Sequence, residues 1–354
     1  MHIKIHSSEL NRMMKTVVQC ISPKDMKLGN IKVIYDNNLL TICGTNGSFS
    51  AVMSAPLLGG DGESFCVDGT MFSRVCAMCG SEIEISTDDK ACIVKGNGRT
   101  RMPIVKVEIP EYKQIKGTQI VIPAEEFTEA YNAVAYAISA DQTRPVLTGV
   151  LMDCNGSELN MVALDGFQVS KASMHTSLDS FKAVVPGAFM KLLSQSISSG
   201  ETIKLTFSKT KMQVETDGML LSCGLLAEEY PDYNRIMPAD FKTECMIKTD
   251  CLKNALKSGS VVNTQNNLVR MDIGANKLYL MSNSEEADFQ ADIDCEVQGD
   301  GLAIAFNQKY LMNTINAINA EYAVIKLNTP VSPCIVCGQG ESNQHLVLPV
   351  RVRG

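Results

Sequence analysis

The sequence predicts an α+β protein of three similar domains, each holding two helices among strands, and two recurrences predict it. A strand-then-helix opening starts at Ile3, Ile120 and Cys245, 117 and 125 residues apart. A second helix recurs later in each copy and leads into another strand. Alternating apolar positions describe a strand and apolar positions three and four apart describe one helical face, so the pattern changes period at the same place each time.

In the first copy Ile3-Lys4-Ile5 alternates, and Leu10, Met13, Met14, Val17, Val18 and Ile21 then fall on one helical face. The second copy places Phe127, Ala130, Tyr131, Val134, Ala135 and Ile138 at the same offsets after Ile120-Val121-Ile122. The third follows Cys245-Met246-Ile247 with Leu252, Ala255 and Leu256, after which the match fades. The later helices begin after Val67-Asp68-Gly69, Val185-Pro186-Gly187 and Phe306-Asn307-Gln308, and carry Phe72, Phe189 or Leu311 inward. Strands at Ile83–Ile85, Ile203–Leu205 and Ile325–Leu327 follow them.

These repeats divide the 354 residues into domains 1–117, 118–242 and 243–354. Units of about 120 residues can each bury a core. The boundaries fall at Lys116-Gly117 and near Lys242, after the proline segments Ile109-Pro110-Glu111-Tyr112 and Met237-Pro238-Ala239-Asp240. A period this long indicates a few large domains rather than a solenoid.

Charge is uneven across them. Counting Lys and Arg against Asp and Glu gives +2, −6 and −3 for the three domains in order, within a net of −7. That balance argues against a protein that coats nucleic acid electrostatically, though not against a local basic surface. Thirteen cysteines without an N-terminal apolar signal predict free thiols in a reducing cytoplasm. No apolar run is long enough for a membrane span. The Asn-Gly-Ser triplets at Asn46 and Asn155 read as hairpin turns rather than glycosylation sites.

Enzyme chemistry is thinly represented. The four histidines, His2, His6, His175 and His345, form no metal-binding motif. No phosphate-binding loop is present, and Gly96-Asn97-Gly98 reads as a hairpin. Cys76-Ala77-Met78-Cys79 is the one Cys-x-x-Cys, placed at a helix end where thiolate stabilisation is absent. It carries the competing reading of a cytosolic thiol enzyme using Cys76 and Cys79. No acidic pair is singled out. What does stand out is apolar: the two-proline loop Glu229–Pro238, and a C-terminus, Leu346-Val347-Leu348-Pro349-Val350-Arg351-Val352, where chains usually fray. The latter reads either as a final edge strand tolerating Pro349 or as the wall of a groove for a partner peptide.

Arg144-Pro145-Val146-Leu147-Thr148-Gly149-Val150-Leu151 with Met161-Val162-Ala163-Leu164-Asp165-Gly166-Phe167-Gln168-Val169-Ser170 resembles the middle-domain signature of the bacterial sliding clamp family, the beta subunits of DNA polymerase III. Tyr230-Pro231-Asp232-Tyr233, Ala305-Phe306-Asn307-Gln308-Lys309-Tyr310-Leu311 and the closing Leu348-Pro349-Val350-Arg351-Val352 match the same family, so the resemblance spans the chain. It implies three tandem DNA-clamp domains per subunit, each with two helices packed on antiparallel sheets. Two subunits would close head to tail into a six-domain ring around duplex DNA. A ring holds DNA by topology, so sequence-blind phosphate contacts suffice and an acidic chain is compatible with the role.

The same resemblance implies DNA-facing cations at Arg12, Lys15, Arg74, Lys191, Lys253, Lys257 and Lys309. The first helix of the middle domain, with Glu125, Glu126 and Glu129, supplies none. It implies a partner-peptide pocket walled by Leu147, Leu164, Gly166, Phe167, Val169, Pro231, Ile236, Pro333, Leu346, Leu348, Pro349, Val350 and Arg351. Ring closure is expected between Met102 and Ile104 of one subunit and Val261 and Val262 of the other. Implied partners are the replicative polymerase, an ATP-driven clamp loader, and repair and replication proteins with clamp-binding peptides; no cofactor, metal, catalytic residue or membrane is implied. The chain departs from the family where a cation is usual and Gln168 stands, at Leu164 and Phe167, at Lys27-Leu28-Gly29-Asn30, and at Asn46 in place of Asp. A paralogous clamp scaffold without client binding is a further alternative.

Overall fold

Residues 1–110, 112–177, 179–262 and 267–351 are described by a computed structural model. Glu111, in the first boundary segment, and Val352, in the C-terminal motif, lie outside these residues, as does the end of the third domain at 353–354.

A strand, a helix and three more strands recur six times along the chain. The first set is β1 (His2–His6), α1 (Ser7–Val17), β2 (Asn30–Asp36), β3 (Leu39–Thr45) and β4 (Phe49–Pro56). A short β5 (Gly59–Asp61) precedes β6 (Phe65–Asp68), α2 (Gly69–Ala77), β7 (Glu82–Thr87), β8 (Ala91–Lys95) and β9 (Arg99–Pro103). Next come β10 (Thr118–Pro123), α3 (Ala124–Val134), β11 (Gly149–Cys154), β12 (Glu158–Leu164) and β13 (Gln168–His175). The fourth set is β14 (Phe181–Pro186), α4 (Gly187–Ser196), β15 (Thr202–Phe207), β16 (Lys211–Thr216) and β17 (Met219–Gly224). The fifth is β18 (Thr243–Lys248), α5 (Thr249–Val262), β19 (Leu268–Ile273), β20 (Lys277–Asn283) and β21 (Asp288–Gly299). The last is β22 (Leu302–Asn307), α6 (Gln308–Asn316), β23 (Tyr322–Leu327), β24 (Cys334–Gly338) and β25 (Gln344–Val347).

Local chemistry sets these elements. Ile3 and Ile5 face inward from β1, and Leu10, Met13, Met14 and Val17 form the buried stripe of α1. Asp68 caps α2 by accepting from the Met71 amide at 2.6 Å, and Asn307 caps α6 by accepting from the Lys309 and Tyr310 amides. Asn37 and Asn38 both adopt positive φ, the geometry of a tight type I′ hairpin joining β2 to β3. Gly47 and Gly156, with φ of +89° and +104°, turn the two Asn-Gly hairpins.

The chain forms two compact units. One comprises 1–127 with 188–225, and contains a five-stranded sheet ordered β5-β1-β7-β8-β9 and an eight-stranded sheet ordered β10-β15-β16-β17-β4-β3-β2-β6. The other comprises 128–187 with 226–354, and contains a twelve-stranded sheet ordered β14-β11-β12-β13-β25-β24-β23-β18-β21-β20-β19-β22. All described pairings are antiparallel, as short hairpin connections require.

The twelve-stranded sheet corrects one expectation. β25 is no edge strand: it lies between β13 and β24 and is bonded on both sides. Pro349, which lacks an amide hydrogen, sits beyond the strand's end, where it makes only an isolated bridge to Phe306.

Candidate functional site

Five of the thirteen residues expected to wall the pocket meet in one apolar cluster of the second unit. Leu147, from a 3₁₀ turn, joins Leu164 of β12, Val169 of β13 and Leu346 of β25 among buried neighbours that include Val162, Tyr230, Tyr233 and Ile335. Leu348 packs partly buried against them. These four are buried core residues. Pro231, Ile236, Gly166, Phe167, Val350 and Arg351 are exposed, while Pro333 and Pro349 are half-buried.

Cross-strand register explains the convergence. Val169 pairs with Leu346 and Ser170 with His345, so adjacent pairs of one seam point to opposite sheet faces. On one face lies the apolar cluster. On the other, His345 Nδ1 lies 2.8 Å from Ser170 Oγ and 3.1 Å from the Tyr136 hydroxyl, which reaches Thr314 on α6 at 3.3 Å. Burial holds the His345 imidazole down at about 4 and pushes the Tyr136 phenol up to about 12.

The two-proline loop is pinned by its tyrosines, which sequence reasoning had left unassigned. The Tyr233 hydroxyl donates to the Asp153 carboxylate at 3.0 Å, and Lys182 pairs with the same carboxylate at 3.3 Å. Burial, and then the Asp153 charge, push the Tyr233 phenol well above its ordinary range. Their signal was available, because Tyr230, directly before Pro231, and Tyr233 are large residues in a two-proline loop of a chain with no tryptophan.

Phe167 lies outside the buried cluster. Its ring stacks on Tyr310 of α6, with centroids 5.3 Å apart and planes 17° apart, rather than entering the apolar cluster. The tight turn before β13 directs it there: Gly166 has φ of +96°, and Asp165 accepts from the Phe167 and Gln168 amides. Gln168 is buried and donates to Asp165, so it supplies neither charge nor an exposed group.

The expected DNA-facing cations are on helices, but not all are free. Lys15, Arg74, Lys191, Lys257 and Lys309 are exposed. Arg12 is exposed and paired with Glu9 on its own helix. Lys253 is half-buried and donates to the Ile318 carbonyl at 2.9 Å, so its charge serves the end of α6. Among the expected ring-closing residues, Val261 is 77% exposed, Val262 and Ile104 are partly buried, and Met102 is core at 4% exposure. Met102 is inward because its position on β9 alternates with the exposed Arg101.

Cys76 is fully buried, and burial drives its thiol far above the ordinary range; Cys79, at the end of α2, is raised for the same reason. Burial thus disfavours the thiolate at both cysteines. No helix among the described residues is long and apolar enough to cross a membrane.

The fold defines a class. A sliding clamp (DNA polymerase III subunit beta) of Pseudomonas aeruginosa, solved with griselimycin bound, superposes with a TM-score of 0.94 at 19% identity, covering 99% of this chain and 100% of that one. The central-domain model of the DNA polymerase III beta subunit matches residues 121–232, and the C-terminal-domain model matches 234–351. The beta sliding clamp of Streptococcus pneumoniae is 25% identical over 99% of both chains, and that of Streptomyces coelicolor is 27% identical over 77% of each. The chain belongs to the DNA polymerase III beta subunit family, the bacterial beta sliding clamps.

Proposed function

We propose that two copies of this chain, each of three clamp domains with boundaries at 117/118 and 242/243, close head to tail into a ring that encircles duplex DNA. The ring slides and tethers the replicative polymerase and other clients through the apolar cluster around Leu346 and Leu348. It catalyses nothing itself, works in the cytoplasm, and relies on an ATP-driven loader to open it.

One structural regularity carries the homodimer. Strand β17 docks antiparallel on β4, pairing Cys223 with Phe49, and β25 docks on β13, pairing Val347 with Gln168. The third equivalent pair is β9 and the 288–294 stretch of β21, and each has a free edge among the described residues. Unpaired edges are templates for another strand.

Internal equivalences give the register. The amides of Asn46, Asp165 and Ser284 donate to the carbonyls of Phe49, Gln168 and Ala287, making those three acceptors equivalent. The amides of Val105, Leu226 and Val350 donate to the carbonyls of Cys66, Val184 and Ala305, so Met102, Cys223 and Val347, three residues earlier, correspond. The missing contact therefore pairs Met102 with Ala287 and Arg101 with Asp288 of a second copy. Met102 then contributes backbone, which suits its burial. Val261 occupies the place that Tyr136 holds one repeat earlier, and faces α2 of the second copy.

Arg101→Glu should weaken the dimer about tenfold or more by placing like charges together, and adding Asp288→Arg should restore it. Sedimentation across a concentration series reads this. A monomeric parent protein, or an Arg101→Glu variant that dimerises as the parent does, would refute the register. Encirclement is tested by loading the protein with a compatible loader onto nicked circular DNA and then linearising it. Retention on circles that vanishes on linear molecules is expected, whereas release set by salt alone excludes a ring.

A further inference from the structure

We infer that Cys295 and Cys245 are a redox pair that reduces a small neutral hydroperoxide and becomes a reversible cross-strand disulfide between β21 and β18. The pair and the cavity that serves it lie in the second unit and need no second copy of the chain.

Strand register brings the two thiols together. Cys245 is paired with Val297 and Ile247 with Cys295, so the cysteines stand diagonally on one face of the β18–β21 seam. Their sulfurs are hydrogen-bonded to each other. Cys245 has no exposed surface, whereas Cys295 keeps 8% and reaches a cavity of about 740 Å³. That cavity is lined by Cys251, Asn254 and Ala255 of α5 and by residues 291–296 of β21. Cys251 is exposed, so the cavity opens to solvent beside it. Packing alone accounts for two small apolar side chains in this core, but not for a sulfur pair with one member on a cavity.

The surroundings choose the oxidant and divide the roles. Asp292, Asp294 and Glu296 line the cavity against one cation, Lys248, which disfavours acidic disulfides and leaves a neutral hydroperoxide as the class that enters. Burial raises both thiols; the hydrogen bond works against that rise at Cys295, while at Cys245 the neighbouring Cys295 and the hydrogen bond add to it. Cys295 is therefore the attacking sulfur and Cys245 the resolving one. With hydrogen peroxide, the Cys295 sulfur attacks one oxygen: an S–O bond forms, the O–O bond breaks, and the departing hydroxide takes the Cys295 proton and becomes water. The Cys245 sulfur then attacks the Cys295 sulfur: the S–S bond forms, the S–O bond breaks, and the second hydroxide leaves as water with the Cys245 proton. Two thiols give up two electrons and the peroxide takes them. Diagonal neighbours stand about 7–8 Å apart, beyond the commonest disulfide span of about 5.5–6 Å. The bridge thus draws two strands together, and a disulfide so strained is readily reduced.

The full-length protein is treated with hydrogen peroxide, its remaining thiols are alkylated, and the digest is read by mass spectrometry. One crosslinked peptide joining Cys245 to Cys295 is expected, two hydrogens lighter than its reduced halves and lost on adding a thiol reductant. Cys251→Ser should leave the crosslink in place. Cys295→Ser should abolish it, and Cys245→Ser should leave Cys295 as a sulfenic acid that dimedone captures. The crosslink itself is read in the parent protein, so the outcome does not depend on either buried cysteine tolerating serine. Oxidation of Cys251 with no Cys245–Cys295 crosslink, a crosslink of Cys295 to Cys251 instead, or a crosslink that the reductant leaves intact would overturn the pair.

Discussion

Phe306→Ala is expected to cost the second unit about 3–5 kcal/mol, the range for deleting a fully buried aromatic side chain. Phe306 has no exposed surface and lies in the core with Val269, Leu311, Ile315 and Val347. Its neighbours come from a strand on one side and a helix on the other, so the site has little freedom to collapse around the void. Urea denaturation of the parent and variant at neutral pH measures the loss. A loss below about 1 kcal/mol would mean that the surrounding core refills the space.

The same substitution should weaken peptide binding, although Phe306 touches none of the cluster around Leu346 directly. Phe306 is bridged to Pro349, and the neighbouring Ala305 carbonyl holds the Val350 amide. Loosening β22 therefore loosens the segment that carries Leu348. A variant with the full stability loss but parental peptide affinity, measured where it is still folded, would show that this segment is positioned by β13 alone.

Much of the architecture was legible because it repeats. Ile3, Ile120 and Cys245 begin strands in the same setting three times, and Asp68 and Asn307 announce the helices they cap. The division into six strand–helix–three-strand sets was visible only in outline, since hairpin strands such as β8 and β16 are short and carry no helix-like period to mark them. The site was legible as a set of residues rather than as a geometry. Leu147, Leu164, Val169 and Leu346 did come together, but as largely buried core, because residues on three strands and a 3₁₀ turn acquire their neighbours only through non-local pairing. The direction of Phe167 is set locally: the residue follows Gly166 at positive φ and stacks on Tyr310 of α6, and no apolar pattern encodes that turn of direction. Of the two readings open for the C-terminal segment, the edge strand tolerating Pro349 does not hold, since β25 ends two residues before that proline and is paired on both sides.

Acid should unlock the β13–β25 seam, and His345 gives the expected window. Ser170 spends its hydroxyl hydrogen on the Ala133 carbonyl at 2.8 Å, so its oxygen accepts from His345 Nδ1–H. Nε2 is then a buried lone pair with no partner among the described residues. A proton arriving there would carry charge into a fully buried position, which is why burial lowers the imidazole from its ordinary 6.5 to about 4. Because the folded state binds this proton less readily than the unfolded state, stability is intact above pH 6.5. It declines as pH falls toward 4, by about 3 kcal/mol in all. The Tyr136 phenol facing the ring stays neutral throughout, and Asp165, which acts on that phenol, is common to the parent and any His345 variant. His345→Gln keeps an amide donor in the seam and removes the titration, so its stability should change less steeply across the same window. Chemical denaturation at intervals from pH 7 to pH 4 compares the two slopes. Parallel slopes would show that the seam opens, or a water enters beside Nε2, before the imidazole is forced to stay neutral.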